Sequence, residues 1–407
     1  MGLPSDEIVL IRLGQKKGDP SIITVNCPDK LGLGSDLTRL LFEFGLTVVR
    51  GDMSTDGKWC FALFWVLPAD GSSKNIRWAA LKKLLVAACP STRPHLLLPH
   101  LAVSKPKKMY LLQTSSMDSI GLLNDISRTL WELEITVHKM NATVTPDGKA
   151  LNMFCVTDSR EMLHEKRRQD DLCFRLKSTL GEEDNSCDVV LAGSEWGGLD
   201  CTPFLSVPST LAMDLCSKKA PGTGKVTIKL DNSLSPGHTL LQIWCKDRRG
   251  LMYDCMRTLK DFQIQVAYGR LATDAKGDGE IDLFILHGDG KKIVDPVKQQ
   301  NLCSRLELEI TQPVKIMIMD RGPDIELLVA ASIGICGQGR PRVLHDITRV
   351  LKTLGICIFK ADFGWYLIEN RQWEVYRFLF MDKPDLDLSS SHMKAHIAEQ
   401  IRSMLVG

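Results

Sequence analysis

The stretch CPDKLGL at residues 27–33 decides the fold, because it returns as MDSIGLL at residues 117–123 and as KDRRGLM at residues 246–252. Each copy ends a β-branched or apolar run and begins an amphipathic one. The pattern therefore predicts a strand that leads through a glycine turn into a helix. A supersecondary unit that recurs in this way is typical of a repeat protein.

A second pattern extends the repeat to a fourth unit. Each predicted helix that follows a loop carries an aspartate and an arginine three residues apart. The pairs are Asp36 and Arg39, Asp125 and Arg128, Asp254 and Arg257, and Asp346 and Arg349. We interpret these as exposed helix ion pairs, each contributing about 0.2–0.5 kcal/mol, and not as a binding site.

Composition limits the class of protein. A chain of 407 residues with 44% hydrophobic residues suits several small domains. Its 51 basic and 49 acidic residues nearly cancel, which argues against a general nucleic-acid or anionic-membrane binder. Thirteen cysteines without a C-x-x-C pair indicate reduced thiols and no structural zinc site. With no secretion signal and no apolar run of membrane-spanning length, we expect a cytoplasmic protein, the nucleus not being excluded.

Hydrophobic periodicity predicts the order β-α-β-β-α-β within each unit. In the first unit the predicted elements cover residues 22–27, 33–44, 46–50, 59–67, 76–88 and 96–103. The predicted divisions of the chain are 1–19 (extra strand), 20–104 (first unit), 109–194 (second unit), 195–224 (linker), 225–236 (extra strand), 237–320 (third unit) and 325–407 (fourth unit).

The two halves of the chain are copies of each other, because Asp29 and Asp247 lie 218 residues apart. The same separation relates Gly32 to Gly250 and Arg39 to Arg257. We expect the two units of each half to lie side by side with their sheets joined. The fourth unit ends after its second helix, with no residues left for a last strand. We therefore predict that residues 226–230 complete its sheet, as residues 8–13 do for the second unit.

Four such units in register resemble ACT domains, and the whole chain resembles a plant ACT-domain repeat protein of the ACR family. The resemblance implies an α+β fold of four ferredoxin-like βαββαβ (ACT) units arranged as two duplicated halves. It also implies a regulatory protein, not an enzyme, that binds a free amino acid at interfaces between units and signals to a partner protein. Glutamine is the first candidate ligand. We expect no cofactor and no metal. We also expect neither nucleic acid nor a membrane as a partner, and a homodimer is possible.

The resemblance also carries site residues to this chain. A loop glycine lets a ligand approach the backbone, and the amides that begin the next helix favour a carboxylate. A polar side chain early in the second strand, commonly Asn in the family, completes such a site, and Thr or Gln stands there in this chain. The predicted amino-acid-binding residues are Asp29, Gly32, Leu33, Thr47, Asp118, Gly121, Leu122, Thr136, Asp247, Gly250, Leu251 and Gln265.

The fourth loop departs from this pattern. The stretch ICGQGRPR at residues 335–342 is longer, lacks the aspartate and places Arg342 where the glycine before the helix should stand. We expect this loop to have lost the site or to recognise something else.

Other interpretations remain open. The loops can be simple helix caps, and the chain a ligand-free ACT scaffold for protein–protein interaction. Trp59, Phe61 and Trp65 share one sheet face, as in RNA-recognition modules, yet packing in a core or interface is favoured. An uncharacterised transferase or hydrolase is a more distant alternative, because no catalytic arrangement recurs among the units.

Overall fold

The computed structural model describes residues 7–16, 18–69, 76–90, 108–181, 185–192, 226–322, 324–335, 337, 339–368, 371–380 and 388–407. Its strands are β1 Val9–Arg12, β2 Ser21–Pro28, β3 Leu46–Thr55, β4 Trp59–Pro68, β5 Tyr110–Met117, β6 Ile135–Val144, β7 Lys149–Asp158, β8 Ser186–Leu191, β9 Thr227–Asp231, β10 Thr239–Lys246, β11 Ile264–Thr273, β12 Asp278–His287, β13 Val314–Arg321, β14 Asp324–Ser332, β15 Ile358–Ile368 and β16 Arg371–Phe380.

The helices are α1 Leu33–Glu43, α2 Trp78–Ala88, α3 Leu122–Glu132, α4 Lys166–Leu180, α5 Leu251–Asp261, α6 Pro296–Thr311, α7 Val343–Thr353 and α8 Ser391–Leu405. Strands and helices alternate as predicted, and each set of strands forms an antiparallel sheet. The α+β class with four ferredoxin-like units is confirmed. The predicted strand at 96–103 and the linker at 195–224 lie outside the described residues.

Within the described residues, two eight-stranded sheets organise the fold. The first has the order β1-β2-β4-β3-β11-β12-β10-β9, and the second has the order β13-β14-β16-β15-β6-β7-β5-β8. The first unit is therefore joined to the third, through β3 and β11, and the second to the fourth, through β6 and β15. The expectation that the two units of each half share a sheet is wrong, since each sheet combines one unit from each half.

The predicted exchange of extra strands is also wrong. Strand β9 pairs with β10 of its own unit, and β1 pairs with β2 of the first unit. The sheet of the fourth unit is completed instead by β13, which the sequence pattern placed at the end of the third unit and which pairs with β14. Strand β13 directly precedes β14 in the chain and Arg321 pairs with Asp324, so the nearest strand in the chain covers this edge.

Apolar side chains at helical spacing fix each first helix on its sheet. Leu33, Leu37 and Leu41 lie one turn apart on α1 and are at most 2% exposed, within the core of the first sheet. The strand that follows carries a β-bulge in every unit, for example between Val48 and Arg50 in β3. A bulge increases local twist, and these four strands are the ones that join units across the sheets.

The long fourth loop connects the two sheets. The Arg340 guanidinium donates to both carboxylate oxygens of Asp254 on α5 at 2.6 and 2.5 Å, and Nη1 of Arg39 on α1 donates to the Gly339 carbonyl at 2.5 Å. Both Arg340 and Asp254 are buried. The loop that departs from the repeat in sequence therefore packs on the first helices of the first and third units.

Candidate functional site

The four loops before the first helix of each unit share one backbone conformation. Gly32, Gly121 and Gly250 directly precede α1, α3 and α5 with φ angles of 77°, 85° and 78°. Arg342 precedes α7 with a φ of 66°. A positive φ costs glycine little but is uncommon for a residue with a Cβ atom. The structure therefore places Arg342 at the position of the loop glycine, as the repeat predicts.

Predicted residues of two different units meet where the first unit borders the third. Gln265 Nε2, at the start of β11, donates a hydrogen bond of 2.8 Å to Asp29 Oδ2 in the first loop. Thr55 Oγ1 donates to the same carboxylate oxygen at 2.7 Å. Gly32 and Leu33 line the same cleft. We call this cleft the first seam, and it is completed by Lys260 near the end of α5.

The second seam has the same construction between the second and fourth units. Asp118, Gly121 and Leu122 line a cleft that is closed by Lys352 of α7 and Cys357 of the fourth unit. Cys357 lies in the stretch GICI at residues 355–358, immediately before β15. In this stretch, the counterpart of the family's Gly-Val-Asn-Ile, the cysteine occupies the position of the asparagine.

Both seams are nearly closed in this structure. Each is a cleft, partly open to solvent, with free space of about 20 Å³, which is room for about one water molecule and less than a free amino acid needs. Leu33 and Leu122 are 2% and 6% exposed and belong to the cores of their sheets. A ligand larger than water can enter only if side chains at the seam move.

Comparison with known proteins identifies the family of the chain. Three family models match: the ACR10 N-terminal ACT-domain region at residues 11–90, the ACR9-like third ACT-like domain at 227–324, and the ACR9 C-terminal region at 325–407. ACT domain-containing protein ACR9 of Arabidopsis thaliana is 44% identical over the full length of both chains. The chain belongs to the ACR9- and ACR10-like ACT-domain proteins. It is also 42% identical to ACR10 of the same plant, again over both full lengths.

Other matches to this ACT-domain protein are weaker. ACR2 of Arabidopsis thaliana is 23% identical over 84% of this chain and 74% of its own. A solved aspartate kinase from Synechocystis is 14% identical over 95% of this chain and 54% of its own, with a TM-score of 0.18, which supports no argument. The names of the Arabidopsis relatives ACR9, ACR10 and ACR2 describe ACT domains, a regulatory family. Among the described residues, no helix is long and apolar enough to cross a membrane.

The space in front of the loop glycine of the third ACT unit is filled. A Cβ atom on Gly250 would lie 2.6 Å from Arg340 Nη2 and 2.9 Å from Phe42 Cε1, so both side chains already fill the space in front of the glycine. Leu251 is 2% exposed. Asp247 accepts a hydrogen bond of 2.9 Å from Thr273 Oγ1 of its own unit, and burial raises the pKa of this carboxyl.

The two predicted threonines lie apart from the ACT-unit seams. Thr47 and Thr136 are in β3 and β6, and neither is among the residues that line the two clefts. Sequence analysis did not single out Lys260, Lys352 or Cys357. The stretch GICI could have revealed Cys357. The two lysines are ordinary helix residues in sequence, and only the pairing of units brings them opposite a loop glycine.

The aspartates of the first helices do not form one class of exposed ion pairs. Asp254 and Asp346 are both 1% exposed. Burial opposes ionisation of Asp254, but the guanidinium groups of Arg340 and Arg248 outweigh it and hold the pKa of this carboxyl below its usual range. Asp346 pairs with Arg249 of the third ACT unit at 3.2 Å. The expectation of exposed pairs is therefore wrong for these two, because their helices face the interface between the sheets. It is also wrong for Asp36, which pairs with Lys30 and Lys260 and not with Arg39.

Proposed function

We propose that this protein is an amino-acid sensor that binds its ligand in the first and second seams and signals to a partner protein. The observation that carries the proposal is the hydrogen bond between Gln265 and Asp29, because it joins predicted site residues of two units across one cleft. The second seam repeats this arrangement of loop, helix and strand.

The chemistry of the seams suits a zwitterion. The amides that begin α1 and α3 lie at the positive ends of their helix dipoles, where a carboxylate is favoured. Asp29 and Asp118 supply negative charge for an ammonium group at the other side of each cleft. The strand residue differs between the seams, a carboxamide at Gln265 and a thiol at Cys357. We therefore expect the two seams to differ in selectivity, and glutamine is the first ligand to test.

Signalling would use the boundary between units. Each seam is closed to a volume of about 20 Å³, so a ligand must bind an arrangement in which the two units are displaced. A ligand that binds this arrangement more tightly shifts the population towards it by its difference in affinity. The partner protein would then recognise the displaced arrangement. No catalytic step is part of the proposal.

A ligand-free scaffold is the second candidate, and the closed seams are the observation that favours it. Thermal unfolding of the full chain with each standard amino acid at millimolar concentration separates the two functions. A ligand that binds only the folded state raises the free energy of unfolding by about 2.7 kcal/mol at a hundredfold excess over its Kd.

Matched variants assign the ligand to a seam. We expect Gln265→Ala to reduce the stabilisation by ligand, because the side chain on the strand side of the first seam is lost. Gln300→Ala on the exposed surface of α6 is the control and should leave the stabilisation unchanged. Stabilisation by no amino acid would contradict the sensor and support the scaffold.

A further inference from the structure

A lysine of the neighbouring unit covers the loop glycine in both seams. A Cβ atom on Gly32 would lie 2.6 Å from Lys260 Cδ, and one on Gly121 would lie 2.4 Å from Lys352 Cγ. Only a hydrogen in place of a side chain leaves room for these aliphatic stems. The stems therefore occupy the space that the backbone of a bound amino acid would need.

The ammonium groups of these lysines pair with the aspartate in the first turn of the opposing helix. Lys260 Nζ lies 2.7 Å from Asp36 Oδ1, and Lys352 Nζ lies 2.8 and 2.7 Å from the two oxygens of Asp125. Two seams on separate sheets thus have the same lysine, glycine and aspartate in the same relation. A chance surface contact would not be expected to recur in this way.

The other two loops have an aromatic side chain at the matching position. Lys260 and Lys352 are the tenth residues of their eleven-residue helices, α5 and α7. The tenth residues of α1 and α3 are Phe42 and Trp131. Phe42 lies against Gly250. The Arg342 Cζ atom lies 5.7 Å from the centroid of the Trp131 ring. Each pair of units therefore has one side with a lysine at this position and one side with an aromatic ring beside an arginine.

We propose that Lys260 and Lys352 are the residues that bind the carboxylate of the ligand, and that the chain has two such sites and not four. This inference rests on the proposed function. In the closed seam the lysine pairs with an aspartate of the protein, and the ligand carboxylate takes the place of this aspartate. The lysine stem then leaves the glycine, Asp36 and Asp125 keep Lys30 and Arg128 as partners, and the ligand ammonium faces Asp29 or Asp118.

Charge balance makes the ligand class specific. In the first seam Asp29 and Asp36 balance Lys30 and Lys260, so the seam stays neutral when a zwitterion enters and gains net charge when an amine or a carboxylic acid enters alone. Burying an unpaired charge is costly. The geometry therefore favours α-amino acids with both groups free over their amides and over the corresponding acids without an amino group.

Isothermal titration calorimetry of the full chain tests the inference, with L-glutamine and then each other standard amino acid as the probe. We expect two sites per chain, one site in Lys260→Met and one in Lys352→Met. The carboxamide derivative of the bound amino acid should bind at least tenfold more weakly, because a hydrogen bond to a charged partner is lost. Lys298→Met, at an exposed position of α6, is the control and should keep both sites.

The variants should fold, because each aspartate keeps another cation. Lys30 Nζ lies 2.8 Å from Asp36, and Arg128 lies 3.6 Å from Asp125. Unchanged stoichiometry and affinity in both lysine variants would overturn the inference and leave the sensor function standing. Binding only after a lysine is removed would also overturn it, since the lysine would then block the site. Binding of no amino acid to wild type or variants would overturn the sensor function and this inference together.

Discussion

Replacing Gly121 by alanine should cost more stability than replacing a glycine with the same backbone and free space. Gly121 has a φ of +85°, and a Cβ atom there would meet Lys352 Cδ and Cγ. Gly148 of the same unit has a φ of +80°, and its Cβ would lie 3.6 Å from Met117 Cε, an ordinary contact. Gly148→Ala therefore measures backbone strain alone, about 1–2 kcal/mol.

Gly121→Ala adds the displacement of the Lys352 side chain to the same strain. The new methyl group moves the lysine stem and breaks its ion pair with Asp125. The two side chains are 40% and 26% exposed, so solvent screens the pair and its loss should cost about 0.2–1 kcal/mol. We expect Gly121→Ala to destabilise by roughly 0.5–1 kcal/mol more than Gly148→Ala, once lost packing of the stem is included.

A double-mutant cycle isolates the contact. Urea unfolding followed by circular dichroism gives a midpoint for each variant. With a shared m-value, the midpoints give the differences in free energy of unfolding between variants. In a Lys352→Ala background the extra cost of Gly121→Ala should vanish, because the stem it displaces is absent. Equal costs for the two glycine variants, or an extra cost that persists without Lys352, would refute the close approach of this lysine to the loop.

Three further measurements test the interface and the core. Arg340→Met should lower the free energy of unfolding by about 3 kcal/mol in urea, because Asp254 loses a buried ion-pair partner; a loss below 1 kcal/mol would contradict this. Burial raises the pKa of Glu374 to about 7 in the folded protein. The protonated carboxyl therefore contributes fully to the stability of the folded state below the unfolded pKa, and this stabilisation is lost as pH rises through 7. Between pH 5 and 7.5 wild type should therefore lose about 2 kcal/mol of stability relative to Glu374→Gln, and parallel pH profiles would refute this. Phe42→Ala should lower the free energy of unfolding by about 3–5 kcal/mol, because Phe42 is buried. Phe174 is 72% exposed, so Phe174→Ala should change this free energy by close to zero, and thermal unfolding measures both.

The repeat and the loop geometry could be predicted because both depend on neighbours in the chain. The alternation of apolar residues fixed the strands, and Leu33, Leu37 and Leu41 at helical spacing fixed the buried face of α1. The glycine at the end of each loop motif indicated a left-handed residue, and even Arg342 adopts that conformation in the fourth unit. These features follow from local sterics and periodicity, which a single sequence contains.

The partners of each unit could not be predicted in this way. All four units have the same pattern, so the sequence did not show that the first unit joins the third through β3 and β11. It also did not show that β13 completes the sheet of the fourth unit or that Lys260 and Lys352 cover loop glycines. Contacts between residues more than 200 positions apart depend on which sheet edges and helix faces fit together. The sequence by itself determined four similar units with a glycine loop in three of them, and the tertiary structure alone decided which loops became seams, because a seam exists only where two units meet.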